Sequence, residues 1–204
     1  MRDFAAFLSL ADAALQSCMG NAGFRRSRAG TWSRRSGDDL NVIWLQKHSS
    51  DPSFCVNLGV HYTFLPKAGI EAPLSDEIEH ADCEIKLRLT AKPATKDQWW
   101  PLSIDAATEV ANLTAERGFE IFESYRLAGP IAALEIKDIE NGSLGILSSL
   151  TKVRACLLLD RIHERLGDRD KCREAATLGV KLAGMAVGPK KALKDILKRG
   201  DQSA

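Results

Sequence analysis

The stretch FCVNLGVHYTF, residues 54–64, decides the fold because its large apolar residues recur at every second position. The positions between them hold Cys55, Asn57, Gly59, His61 and Thr63. Successive side chains of a β-strand point to opposite faces, so the pattern predicts a strand with one buried face and one more polar face. Gly59 interrupts the strand, which predicts a bulge or a close backbone approach, or a shallow notch on the polar face.

Three more strands are predicted around this one. They cover residues 24–35, with an interruption at Ala29-Gly30, residues 40–47 and residues 83–89. The apolar run VIWL in the second of these is continuous and leaves its inward face open. Short turns join the first three strands of the chain, which favours an antiparallel meander. The fourth strand is expected to point Cys83, Ile85, Leu87 and Leu89 inward and Glu84, Lys86 and Arg88 outward.

Helices are predicted on both sides of the strand region. Asp3 precedes an apolar stripe with helical spacing, a second helix is expected from about Asp105, and Gly167-Asp168 separates two C-terminal helices. The predicted fold class is α+β: a four-stranded antiparallel meander packed by the N-terminal helix and the mid-chain helix, with a C-terminal helical extension. We expect a sheet domain over residues 1–145 and an extension over residues 146–204 that packs on it.

Composition excludes several classes of protein. The 204 residues carry a net charge of +1, so no global field attracts nucleic acid or acidic lipid. No apolar run approaches the roughly 20 residues that cross a bilayer, and the N-terminus does not resemble a signal peptide. The five cysteines are odd in number and form no CxxC, which fits a reducing compartment. These features predict a cytoplasmic protein that does not bind membranes.

An ordered set of short motifs carries a family resemblance. After the first helix come Gly23-Phe24-Arg25, Trp32, Leu45-Gln46-Lys47, Asn57-Leu58-Gly59-Val60, the stretch CEIKLRL at 83–89, and Trp99-Trp100. The set resembles the bacterial family known as domain of unknown function 4304, over residues 3–125. The resemblance implies a small bacterial α+β domain and brings no established catalytic residues.

The spacing of the histidines and cysteines argues against a metal site or a catalytic site. His80 and Cys83 form an H-x-x-C pair at the start of the fourth strand, but structural zinc needs ligand pairs from both ends of a site. Cys55 and His61 lie six residues apart along one strand, about 20 Å, so they cannot act together as nucleophile and base. The sequence therefore predicts no metal, no cofactor and no catalytic residue.

Five arginines crowd the first strand around Trp32. Basic residues beside an aromatic ring are typical of sites that bind single-stranded nucleic acid. Charges on an edge strand also prevent edge-to-edge pairing, and no nucleic-acid-binding motif is present. Nucleic-acid binding is therefore kept as a minor alternative. The arginines are Arg25, Arg26, Arg28, Arg34 and Arg35.

These observations favour a non-enzymatic protein–protein interaction module. The partner would bind the polar sheet face or the groove beside the C-terminal helices, and an immunity or antitoxin-like role is one version of this interpretation. An exposed ring at Trp99 would serve as a partner-binding anchor. The alternative is a small-molecule or catalytic site on the polar face. Its polar groups would be Asn57, His61, Lys86 and Arg88.

Overall fold

The computed structural model of the chain describes residues 3–68, 74, 77–92, 97–185 and 187–202. Two compact units divide the chain, Met1–Glu123 and Ser124–Ala204. The predicted boundary at residue 145 lies inside the second unit. Within the described residues, no helix has the length and apolar character needed to span a membrane.

The first unit is an α+β structure, as predicted, with six strands where the sequence analysis expected four. The elements are α1 (Phe4–Asn21), β1 (Arg25–Arg28), β2 (Thr31–Ser36), β3 (Asp39–Lys47), β4 (Ser53–Tyr62), β5 (Ile85–Arg88), β6 (Trp100–Pro101), α2 (Ile104–Leu113), a π-helical turn (Thr114–Gly118) and α3 (Phe119–Ser124). All strand pairs are antiparallel, in the order β1-β2-β3-β4-β5, and the two-residue strand β6 pairs with the start of β4.

Two features account for the extra strands. The predicted strand over residues 24–35 is divided into β1 and β2, because Gly30 adopts a left-handed conformation (φ +69°) in the turn between them. Trp100 lies opposite Phe54 in the other added strand, which is too short to show a periodic pattern. The N-terminal helix begins as predicted, with the Asp3 side chain accepting a hydrogen bond from the Ala5 N–H at 2.9 Å.

One face of the sheet packs against α1, and we name it the helix face. Phe7 of α1 contacts Phe54 of β4 with ring centroids 4.6 Å apart. Residues directly opposite in antiparallel strands point to the same face, so Ile43 and Leu58 share this face with Phe54. α2 packs beside α1. The helix face is therefore the main core of the first unit.

The opposite face, which we name the distal face, is covered as well. A short segment before β5, residues 77–83, lies over it and forms a second small core. Leu40 and Val42 of β3 contribute to that core from the sheet, and Ile78 and Cys83 contribute from the segment. Val42 and Trp44 of the VIWL run therefore face the distal side, and Ile43 and Leu45 face the helices.

Cys83 is buried, as predicted, but it does not share a face of the sheet with Ile85. β5 begins only at Ile85, which lies opposite Val60 on the helix face. Cys83 precedes the strand and is buried against the distal face at Gly59. Side chains alternate between the two faces only within a paired strand, and Cys83 lies before β5 begins.

Gly59 allows this approach. A Cβ atom at residue 59 would lie 2.6 Å from Cys83 Sγ and 3.3 Å from His80 Cδ2. The expected notch is therefore filled by the covering segment, and glycine provides the space that the segment needs.

The second unit consists of helices. Its long helices are joined as predicted: Gly167 ends α5 in a left-handed conformation, and Asp168 accepts a hydrogen bond from the Lys171 N–H at 3.0 Å to cap α6. A Cβ at Gly179 would lie 2.7 Å from Leu193 Cδ1 and 3.0 Å from Cys156 Cβ, so small residues permit close helix packing. The helices are α4 (Ile136–Glu140), α5 (Lys152–Leu166), α6 (Arg169–Leu182) and α7 (Val187–Gln202).

Replacing Gly59 with alanine should lower the free energy of unfolding by about 1–3 kcal/mol, because the added methyl overlaps Cys83 Sγ. Urea unfolding measures the loss. Adding Cys83→Ala to Gly59→Ala should cost less than the sum of the two single changes, since it removes the overlapping sulfur.

Gly20→Ala in α1 is the matched control, because its Cβ would have no neighbour closer than 3.6 Å. Alanine is the better helix former, so this change should be neutral or slightly stabilising. Full additivity of the Gly59 and Cys83 changes would contradict the steric explanation.

Candidate binding surface

The distal face carries basic side chains at both edges of the sheet. One row of opposed residues runs from Arg88 through Asn57 and Trp44 to Thr31 and Arg28. The next row runs from Lys86 through Gly59, Val42 and Ser33 to Arg25, and Arg35 lies opposite Leu40 in a third. Among the described strand residues, every charged side chain on this face is therefore basic. They are Arg25, Arg28, Arg35, Lys86 and Arg88.

Acidic side chains from loops approach two of these cations. Glu79 belongs to the covering segment, and its Oε1 lies 2.5 Å from Arg28 Nη1. Asp97 Oδ1 lies 3.5 Å from Arg88 Nη2. The covering segment and these loop carboxylates divide the basic residues into groups at the two edges, with an apolar and aromatic middle.

Arg88 lies beside both an aromatic ring and a carboxylate. Its guanidinium carbon lies 5.2 Å from the centre of the Trp99 ring, a cation–π contact. Trp99 is 36% exposed, whereas Trp100 is buried and donates a hydrogen bond from Nε1 to Glu109. The ring of His48 meets Trp99 edge-on, with centroids 4.5 Å apart. The exposed ring expected of a binding anchor is therefore Trp99.

Asn57 lies under this edge. It is only 5% exposed, and its Nδ2 donates a hydrogen bond to Gln46 Oε1 at 3.1 Å. Asn57 and Arg88 are direct cross-strand neighbours, and Lys86 is on the same face one pair further along β5. Three of the four residues predicted for a polar-face site thus share one edge of the sheet.

His61, the fourth, is on the same face but fully buried. Its Nδ1 accepts a hydrogen bond from the Glu84 N–H at 3.1 Å. Burial lowers the pKa of His61, and contacts with the Leu65 backbone and the charge of Glu84 offset this only in part. His61 therefore supports the chain leading into β5 and is not accessible to a ligand.

His80 holds the covering segment on Trp44, with ring centroids 5.5 Å apart. Burial and the positive charges of Lys86 and Arg88 lower the pKa of His80 to about 4. The imidazole is therefore neutral at pH 7, because burial and two nearby cations disfavour its charged form.

The arginine cluster of the first predicted strand does not form one patch. Arg26 points to the helix face and pairs with Asp12 of α1 at 2.6 Å. Arg34 also faces the helices, where it stacks on Phe24 and donates to Asn41. Arg25, Arg28 and Arg35 remain on the distal side.

The cysteines on the distal face are buried thiols. Burial raises the pKa of both Cys55 and Cys83, so neither is a thiolate near neutral pH. Within the described ranges, no three His, Cys, Asp or Glu side chains are grouped so that they could hold a metal ion.

A separate groove lies in the second unit, between α4 and α6. Its volume is about 460 Å³, and its rim carries three basic and three acidic side chains, so the groove has no clear charge preference. They are Lys137, Arg173 and Lys181, and Glu140, Asp170 and Glu174.

Sequence reasoning missed Trp44, Gln46 and His80 as parts of this surface. Trp44 belongs to the continuous run VIWL, so only the strand register assigns it to the distal face. His80 reaches Trp44 because the chain folds back over the sheet at Gly59. The glycine inside the alternating stretch was the available signal.

Comparison with known proteins identifies the family of the chain. The family described as "Domain of unknown function (DUF4304)" matches residues 15–124, more than half of the 204 residues. The predicted resemblance is confirmed over this stretch, which contains all six strands and the last seven residues of α1. No curated protein and no solved structure shows significant similarity to the chain.

Acid should destabilise the protein through His80. With a folded pKa of about 4 and an unfolded value near 6.5, the unfolded chain binds a proton that the folded chain does not. Stability from this group is complete above pH 6.5 and is lost as the pH falls towards 4, by about 3 kcal/mol. Urea unfolding of wild type and His80→Gln between pH 7 and pH 4.5 should show a shallower dependence in the variant.

Lys86→Met provides a second readout, because the Lys86 charge contributes to lowering the pKa of His80. The midpoint of the His80 imidazole resonance in NMR should rise in this variant. A wild-type midpoint near 6.5 would contradict the buried, neutral assignment.

Proposed function

We propose that this chain, which belongs to the DUF4304 family, is a non-enzymatic interaction module whose distal face binds an acidic surface of a partner protein. The observation that carries the proposal is the charge of that face: its five charged strand residues are all basic. An immunity or antitoxin-like role, in which one module neutralises one partner, is a specific version of this function.

The residue types at the β5 edge support protein binding. Tryptophan and arginine are enriched among the residues that dominate binding energy at interfaces, and Trp99 and Arg88 contact each other here. The Asn57–Gln46 amide pair beneath them is already hydrogen-bonded, so it provides a firm base without an unsatisfied group.

The chemistry of the face argues for binding and not catalysis. The thiols of Cys55 and Cys83 have raised pKa values through burial, and Cys83 lies behind the covering segment. His61 is fully buried and its Nδ1 accepts a backbone hydrogen bond. These groups are placed to stabilise the covering segment.

An acidic protein fits the face better than nucleic acid. Arg26 and Arg28 are engaged by Asp12 and Glu79, and the central aromatic residue, Trp44, contacts His80. Binding of single strands relies on aromatic rings available for stacking along a continuous basic groove. Here the covering segment separates the basic groups of the two edges.

The test is affinity capture from a bacterial lysate, with and without nuclease, using wild type and Arg25→Ala/Arg35→Ala/Lys86→Ala. We expect a stoichiometric, nuclease-resistant protein that the triple variant binds about tenfold more weakly or loses. The control is Lys191→Ala/Lys194→Ala/Lys198→Ala, which removes the same charge from α7 and should retain the partner.

Equal loss in both triple variants would mean that net charge alone mediates capture, and the proposal would fail. Material that disappears on nuclease treatment would identify nucleic acid as the ligand. Retention of the same partner by the Arg25/Arg35/Lys86 variant would exclude the distal face.

A further inference from the structure

Arg88 has hydrogen-bonding capacity that the described chain leaves unused. Its Nη1 is buried and has no hydrogen-bond partner among the described residues. Its Nη2 lies 3.5 Å from Asp97 Oδ1, longer than a normal N–H···O bond. The Arg88 side chain as a whole is 23% exposed and that of Asp97 is 63% exposed, so a ligand can approach the guanidinium from the Asp97 side.

A carboxylate is the group that this arrangement accommodates. A guanidinium presents parallel N–H donors that match the two oxygens of a carboxylate, and such paired bonds are stronger and more directional than a single contact. Trp99 stacks near the guanidinium, and Asn57 lies across the ladder from it. The cation–π contact with Trp99 therefore orients the guanidinium before any ligand binds.

Asp97 is a weakly held occupant of this position. It is 63% exposed and contacts Arg88 through one oxygen at long range. Exposed ion pairs of this kind contribute little stability, so exchange for a better-placed carboxylate has a low cost.

We propose that Arg88 is the carboxylate-binding centre of the distal face, where an Asp or Glu side chain of the partner displaces Asp97 and forms a paired contact with Nη1 and Nη2. The inference rests on the proposed function and specifies the group that the face recognises. Asp97 is then an internal competitor, which a partner's acidic side chain must displace from Arg88 in order to bind.

The probe for this inference is an acetylated, amidated hexaglutamate peptide, titrated by isothermal calorimetry. Asp97→Asn should bind it at least about threefold more tightly than wild type, because the competitor is gone. Arg88→Lys, which keeps the charge but not the paired donors, should bind about tenfold more weakly.

Glu116→Gln is the matched control for Asp97→Asn. Glu116 is exposed in the π-helical turn, and its replacement changes the net charge by the same amount. This variant should bind the peptide like wild type. Circular dichroism of each variant confirms that it is folded.

Several results would overturn the inference. These are equal effects of Asp97→Asn and Glu116→Gln, wild-type affinity in Arg88→Lys, or no saturable binding by either wild type or Asp97→Asn. Tighter Arg88-dependent binding of hexathymidylate than of hexaglutamate would assign the site to phosphate. The peptide result is independent of the lysate capture: if Arg88 and Asp97 behave as expected but the Arg25/Arg35/Lys86 variant retains its partner, the carboxylate site stands and the face-wide function fails.

Discussion

The covering segment can lie on the distal face only where the sheet offers space, and that space is the missing side chain of Gly59. Cys83 Sγ occupies a position 2.6 Å from where a Cβ would be. The contact fixes the chain just before β5, and it places His80 on Trp44 and Glu79 beside Arg28. Both faces of the central strands are thereby buried. The antiparallel sheet therefore has a core on each face, a large one under the helices and a small one under the covering segment.

Covering the distal face changes the electrostatics of the groups beneath it. Histidines that would titrate near neutral pH in water are held neutral at His61 and His80, because burial disfavours their charged form. Lys86 has the same effect on His80, and its Nζ donates a hydrogen bond to the Ala81 carbonyl at 2.7 Å, which ties β5 to the segment. The covering segment is therefore held on the sheet by the contact at Gly59, by ring contacts and by hydrogen bonds to its backbone, and not by ion pairs alone.

Local signals in the sequence predicted the parts of the fold that local physics determines. The capped N-terminal helix, the alternating strand β4 and the Gly167-Asp168 junction each depend on residues close together in the chain, and the structure confirms them. The face of Trp44 and the position of His80 depend on register and on a long-range return of the chain. No window of sequence contains both partners of such a contact. Cys83 shows the same limit, because alternation fails where the ladder ends.

The proposed role of the distal face requires basic edges that do not attract every polyanion. Unpaired cations on short edge strands discourage pairing with other strands, but they would also attract any polyanion. Loop carboxylates at Glu79 and Asp97 reduce that attraction at Arg28 and Arg88. The two pairs differ, since Glu79 approaches Arg28 within hydrogen-bonding distance and Asp97 does not approach Arg88 that closely. On the proposed function, a ligand that displaces only the weaker pair would gain a defined anchor at the β5 edge, while Arg28 stays paired with Glu79. On that proposal, a partner with one well-placed acidic group would need to displace only Asp97, whereas a diffuse polyanion would also compete with Glu79.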